Sequence, residues 1–505
     1  MSGVKSLAKD TAIYGVSSIV GRFLNWCLVP LYTYYFAAEE YGIVTYVYSF
    51  VALAMVILTY GMETGFFRFA NHERYGDDPM RVYSTSLISL ASSSSAFLLL
   101  VLLFLKPITG WMECGHHYSY VWMMAAAVAL DAFTAIPFSY LRFAHRPMRF
   151  AGLKLLNIGL NIGLNLFFIV LCPWIWKHAP QAIAWFYDPG YGIGYIFLTN
   201  FITSLLNLVL LTPELRGFGW RFDRAMWRAM ISYSWPLLVL GVAGIMNQTI
   251  DKILLPQLVA DKSTALDQLG IYGANYKIAI IMVMFTQAFR FAYEPFIFAQ
   301  NKDKGESRLQ SYRDAMKWFV IFSLLIFLGV MFFIDIAKRI IAPAYWEGLA
   351  VVPIVMIADF FFGVTFNLSI WYKLTDRTQW GMWLSLTGLA VTLLMNRLLV
   401  PHFGYMGCAW AALACYAVMM VFSYIMGRLK YPIGYNVPRL GGYFLLALAL
   451  YGVSVWITVE AMPWLNYGVR LLLLALYIGV VLRVEKMKLS QMLPVGAIMH
   501  RLLHR

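Results

Sequence analysis

The sequence predicts an all-α polytopic membrane protein of about 14 transmembrane helices, with both termini cytoplasmic. Two observations fix the class and a third fixes its orientation. Apolar residues make up 61% of the chain and charged residues 13%, with a mean hydropathy of +0.68, whereas soluble domains carry about 25% charge. Apolar runs of roughly 20 residues, the length that crosses a bilayer as a helix, recur from end to end with short connections. The third observation is the distribution of Lys and Arg between alternate connections.

Taken in order, the runs centre near Phe23, Val51, Ala96, Leu130, Leu160, Thr199, Gly241, Met284, Leu325, Asp359, Leu389, Ala417, Leu448 and Ala475. The first follows Lys5 and Lys9 and is interrupted by Arg22 and Asn25, with no short apolar region ahead of a small-residue cleavage site, so it is expected to be retained. The fourth and tenth carry Asp131 and Asp359 near their middles. The seventh is polar towards its end, with Asp251, Lys252 and Pro256, and the eighth carries Lys277, Gln287, Arg290 and Glu294. With the N-terminus inside, the inner connections hold 27 Lys and Arg and the outer ones 8, the asymmetry that keeps positive loops cytoplasmic. The net charge of +14 is therefore explained by topology and by contact with anionic lipid, and nucleic acid is rejected as a partner.

Of the five cysteines, Cys114 and Cys172 lie towards the outer face, but none forms a C-x-x-C or a Cys/His metal spacing. His116 and His117 read as a polar loop, so neither metal nor cofactor is expected. Internal repetition is clear. EYGIVTYVYSF parallels QLGIYGANYKI at an offset of 228 that carries Gly42 onto Gly270 and Asp131 onto Asp359. A polar span ending in Pro30 opens one half, and one ending in Pro256 opens the other. The expected organisation is an N-terminal six-helix lobe (1–228), a second six-helix lobe (229–430), and two further helices with a cytoplasmic tail (431–505).

Several segments, in order and over the whole chain, carry a family resemblance: IYGVSSIVGRFLNWCLVPLYT with EEYG after it, METGFFRF, LRFAHRPMRF, and NQTIDKILLPQL leading into LGIYGANYKIA. The chain resembles the polysaccharide (O-antigen type) flippases of the multidrug/oligosaccharidyl-lipid/polysaccharide exporter superfamily. The resemblance implies two lobes around a central cavity and alternating access. It also implies a polyprenyl-diphosphate-linked glycan as cargo, a place in the inner (cytoplasmic) membrane, and work beside a glycan polymerase or glycosyltransferases.

The residues add chemistry to that expectation. Arg22 lies far from either end of its span, where an unpaired charge costs roughly 2.5–3.5 kcal/mol on insertion scales, so it faces a wet cavity or a carboxylate such as Asp131. Ser18, Arg22 and Asn25 share one helix face. Gln287, Arg290 and Glu294 fall on one stripe of the eighth span. Arg290 is read either as snorkelling or pairing with Glu294, or as offering a planar donor fork to a diphosphate. Lys277 is divided between the interface and the cavity, and Asp251 with Lys252 between an outer gate and a local charge pair. Asp131 and Asp359 are costly as mid-membrane anions, which makes each either an ion-coupling site or a paired carboxylate that fixes packing. No G-x-x-x-x-G-K-[ST] occurs, which excludes a P-loop pump, and the short outer loops argue against a membrane glycosyltransferase or polymerase. A cation-coupled multidrug exporter and a lipid II flippase of the same superfamily remain the nearest alternatives. The cations Arg22, Lys277 and Arg290 weigh against the first.

Overall fold

A computed structural model describes residues 20–21, 23–71, 78–112, 117–216, 219, 221–300, 306–375, 377, 379–457 and 463–486, without the side chains of 292, 294–300, 307 and 463. The described residues are helical and contain no strand. Twelve helices are long and apolar enough to cross a membrane, and a shorter apolar helix, Gly194–Leu210, stands at the sixth predicted span. The first span lies largely outside the described residues. The helices used below are α1 (Leu28–Tyr35), α2 (Ala38–Thr59), α3 (Met62–Ala70), α4 (Pro79–Leu103), α5 (Tyr118–Phe143), α6 (Pro147–Leu166), α7 (Gly194–Leu210), α8 (Arg224–Leu258), α9 (Ala265–Gln300), α10 (Glu306–Phe332), α11 (Val351–Leu368), α12 (Gln379–Phe403), α13 (Tyr405–Lys430), α14 (Val437–Trp456) and α15 (Pro463–Glu485). Every predicted centre from Val51 to Ala475 falls inside one of them.

Sequence signals set several of the inner helix ends. Asp78 accepts from Arg81 N at the start of α4, Asp223 accepts from Ala225 N and Met226 N at the start of α8, and Asn436 accepts from Arg439 N at the start of α14. Each side chain satisfies amide groups that a helix start leaves open, a contribution of about 1 kcal/mol. Between α2 and α3 the backbone turns left-handed at Tyr60 (φ 31°) and Gly61 (φ 72°). The Tyr60 hydroxyl, 2.6 Å from Ser89 Oγ, ties that turn to α4.

The chain forms two compact units, Met1–Lys277 with Ile341–Val351 and Thr378–Val418, and Ile278–Ile340 with Val352–Arg377 and Met419–Arg505. In the first unit, the repeat found in the sequence has a physical cause. The N-terminal turns of α2 and α9 cross where Gly42 and Gly270 approach each other. A Cβ on Gly42 would strike the Leu266 carbonyl and one on Gly270 the Ala38 carbonyl, and these two partners are themselves related by the 228-residue offset. Thr45 and Gly273, the next related pair, also abut. Only glycine lets two helix backbones approach this closely. The segment after α10 joins the same closure. Tyr345 donates to the Phe36 carbonyl (2.8 Å), Ala342 N donates to Thr33 Oγ1 (3.3 Å), and Asn275 donates to the Tyr345 carbonyl (2.7 Å).

In the second unit, α14 and α15 are clamped to α10 at both ends. Glu485 receives Lys317 (3.0 Å), Arg439 (2.7 Å) and the Tyr443 hydroxyl (2.6 Å) at the inner end. Arg470 reaches Asp335 (2.9 Å) and the Phe332 carbonyl (2.9 Å) at the outer end. Burial pushes the Asp335 carboxyl upward, but hydrogen bonds from Arg470 and Lys338 outweigh it and hold the group below its ordinary range.

Candidate functional site

The second unit brings two cations to one aromatic ring. Gly363 on α11 lies where a Cβ would strike the Phe319 ring of α10 and stand 3.0 Å from Thr286 Oγ1 of α9. One turn further along α11 comes Phe366. Above its ring, on α9, stands the Arg290 guanidinium at 4.9 Å from the centroid. The Lys373 ammonium lies 4.5 Å from the same centroid, on the short helix Ile370–Leu374 that follows a break at Ser369. Arg290 is exposed and Lys373 half-buried. A ring face attracts a cation by about 0.5–1 kcal/mol at exposed sites, and Phe366 meets two of them, one from α9 and one from its own helical course. Gln287 lies half-buried on α9, one turn before Arg290. The Glu294 side chain lies outside the described residues, as does Arg22.

Asn25 is exposed, and its neighbour Trp26 donates through Nε1 to the Lys277 carbonyl (2.8 Å). Lys277 is half-buried about three turns into α9, which begins at Ala265. Asp251 and Lys252 are 5% and 9% exposed on α8. Lys252 Nζ bonds both Asp251 oxygens at 3.1 Å and lies 4.1 Å from the Tyr276 ring centroid, while the Tyr272 hydroxyl donates to Asp251 at 2.6 Å. The pair is closed on itself, each charge satisfied.

Asp131, on α5, receives Ser204 and lies in the field of Lys154, whose ammonium stands 3.9 Å over the Phe138 ring. Asp359 is buried on α11. Asp131 belongs to the first unit and Asp359 to the second. From the Asp131 region a ladder of amides runs along α6. Asn157 donates to the Thr203 carbonyl (3.1 Å), Asn161 to Thr203 Oγ1 (3.5 Å) and Asn165 to the Asn161 carbonyl (2.8 Å), and the Tyr32 hydroxyl donates to Asn165 (3.0 Å). The signal for this ladder was present in the sequence as NIGLNIGLN, three asparagines at helical spacing. Among the described residues, no group of three or more His, Cys, Asp and Glu gathers as a metal site, and Cys172 is buried with a free thiol.

Over residues 7–297, more than half of its length, the sequence matches the family described as Polysaccharide biosynthesis protein. The chain belongs to that family. None of the curated proteins matches the sequence. Among solved structures, one titled "Lipid II flippase MurJ, inward closed conformation" superposes at TM-score 0.71 with 13% identity, over 94% of this chain and 99% of that one. One titled "Inward-facing conformation of a multidrug resistance MATE family transporter of the MOP superfamily" gives 0.65 and 12%, over 81% and 94%. A further MATE crystal structure, in complex with MaD3S, gives 0.58 and 12%, over 84% and 95%. At such identities the likeness is one of fold, and the fold is that of these multi-pass transporters.

Proposed function

We propose that this polysaccharide biosynthesis family member is a secondary flippase that moves a polyprenyl-diphosphate-linked oligosaccharide across the cytoplasmic membrane by alternating access, with no catalytic step of its own. The observation that carries the reading is the pair of cations over Phe366, Arg290 at 4.9 Å and Lys373 at 4.5 Å. A diphosphate presents two adjacent anionic groups, which a planar guanidinium and an ammonium that share one ring complement. A hydrophobic cationic drug presents neither, so the cluster disfavours multidrug export. In this scheme lobes 1–228 and 229–430 rock about the cargo, with 431–505 as an added helix pair. Arg22, Asn25, Lys277, Gln287 and Glu294 line its path. Asp131 and Asp359 bind the driving ion, while Asp251 with Lys252, the candidate gate, is a local charge pair within α8. Glycosyltransferases supply the cargo, and a polymerase consumes it.

The test is export of surface glycan in cells that depend on this chain. Arg290→Ala and Lys373→Ala each remove one charge-assisted contact, worth about 1.5–3 kcal/mol or roughly a 10- to 150-fold loss of cargo affinity. Arg290→Lys should recover part of it. Wild-type export by stably inserted Arg290→Ala and Lys373→Ala proteins would refute the diphosphate site. Supplying lipid II in reconstituted vesicles separates the glycan flippase from a lipid II flippase, since both cargoes carry the diphosphate.

A further inference from the structure

The first unit contains a crevice of about 840 Å³ between the inner ends of α2, α4 and α8, walled by Ile57, Ile88, Ile231, Trp235 and Leu238 with serines between them. Its polar atoms are engaged within the wall. Ser89 Oγ accepts the Trp227 Nε1 proton (2.7 Å) and shares a hydrogen bond with the Tyr60 hydroxyl (2.6 Å). Ser92 and Ser93 return to the carbonyls of Ile88 and Leu90, at 2.9 and 3.2 Å. What remains to a visitor is hydrocarbon. A sugar would lose hydrogen bonds to water here and recover none, so the occupant is a chain of methylenes.

Length and charge narrow the occupant further. The lining on α8 runs from Trp227 to Leu238, about 16 Å at 1.5 Å per residue. That is roughly half of a 30 Å hydrocarbon core, the depth of one leaflet. Arg224 lies between the lining residues Phe222 and Trp227 and seven residues before Ile231, on the crevice face of α8, and Arg228 follows Trp227 directly. Both arginines are exposed. The adjacent carboxylate, Asp223, is engaged by Arg81 (2.8 Å) and by the first amides of α8. Two guanidinium groups at headgroup level above a leaflet-deep apolar slot describe a receptor for a lipid phosphate and its chain.

We propose that this crevice is a binding site for an anionic phospholipid of the cytoplasmic leaflet, its acyl chain against Ile231, Trp235 and Leu238 and its phosphate between Arg224 and Arg228. The site shares no residue with the Phe366 cluster and does not depend on the flippase reading. The test uses the purified full chain in vesicles containing bromine-labelled phosphatidylglycerol or bromine-labelled phosphatidylcholine, which quench tryptophan by contact. Two arginines at the surface predict roughly a 30-fold preference for phosphatidylglycerol in the quenching of Trp227 and Trp235, read as the difference from Trp227→Phe/Trp235→Phe protein. Arg224→Gln/Arg228→Gln should reduce that preference to that of phosphatidylcholine, and Ser92→Phe, which fills the slot, should remove the contact quenching itself. The arginines are exposed and their replacement leaves the packing intact, so that variant decides the matter even where Ser92→Phe misfolds. Equal quenching by the two lipids, or an unchanged preference in the double arginine variant, would overturn the proposal. So would displacement by undecaprenyl phosphate at lower concentration than by phosphatidylglycerol, which would give the slot to the cargo.

Discussion

Replacing Gly270 by alanine should hold the outer ends of α2 and α9 apart. The added methyl would run into the Ala38 carbonyl and stand 3.0 Å from Gly42 N. Both obstacles are backbone, with no flexible side chain able to swing aside. In a helix interior alanine is otherwise the better residue, by roughly 0.5–1 kcal/mol over glycine, so any penalty must come from the crossing. Overpacking of this kind costs about 1–3 kcal/mol. The cost falls only on a state in which the helices touch, which shifts the balance against that state by roughly 5- to 150-fold. Ala274, one turn further in and 0% exposed, offers a reporter. With the five native cysteines replaced, Ala274→Cys should react slowly with an impermeant maleimide added outside, and at least about fivefold faster once Gly270→Ala is present. Gly42→Ala should do the same, because the geometry is reciprocal. Unchanged labelling in both variants, with the protein monodisperse, would refute the idea that this crossing seals the outer side.

Three other outcomes are expected. Asp251→Asn leaves Lys252 buried without its counter-charge and should cost about 3–5 kcal/mol, seen as a lost thermal transition, whereas replacing both residues by apolar ones should recover most of it. Asp359→Asn, and less strongly Asp131→Asn, should preserve cargo binding and remove the dependence of flipping on a proton or sodium gradient. Unchanged dependence in both folded variants would take the carboxylates out of the mechanism. Labels at Arg146, Arg221 and Lys304 should be reached only from the cytoplasm, and labels at Glu113, Lys177 and Lys262 only from outside, with reversal at any two sites breaking the topology.

The helices were legible because the bilayer imposes a length, and apolar length is written directly in the composition of each segment. The repeat was legible for a different reason. Gly42 and Gly270 are held at the same register by mutual exclusion of side chains, so a single contact constrains both halves of the sequence at once. The left-handed turn at Tyr60 was not legible, because its hydroxyl anchor on Ser89 lies 29 residues away. The ladder along α6 escaped because attention to charge passes over amides, although NIGLNIGLN states their spacing plainly.

Lys373 and Lys154 were missed through the same rule that gave the topology. Each was counted as a loop cation, and as a count each was informative about which side is inside. In the structure, however, Lys373 lies two turns after Phe366 and reaches that ring, and α6 begins early enough to bring Lys154 beside Asp131. A cation within a turn or two of the boundary satisfies both demands, because its long stem lets the charge reach inward as readily as it snorkels outward. Arg224 and Arg228 make the point from the other direction, entering the count as topology while standing at the mouth of a leaflet-deep slot. In a chain whose inner connections carry 27 Lys and Arg, the counting rule gives orientation only as a sum. The assignment of any one of them to lipid, cargo or structure must come from the ring, carboxylate or slot beside it.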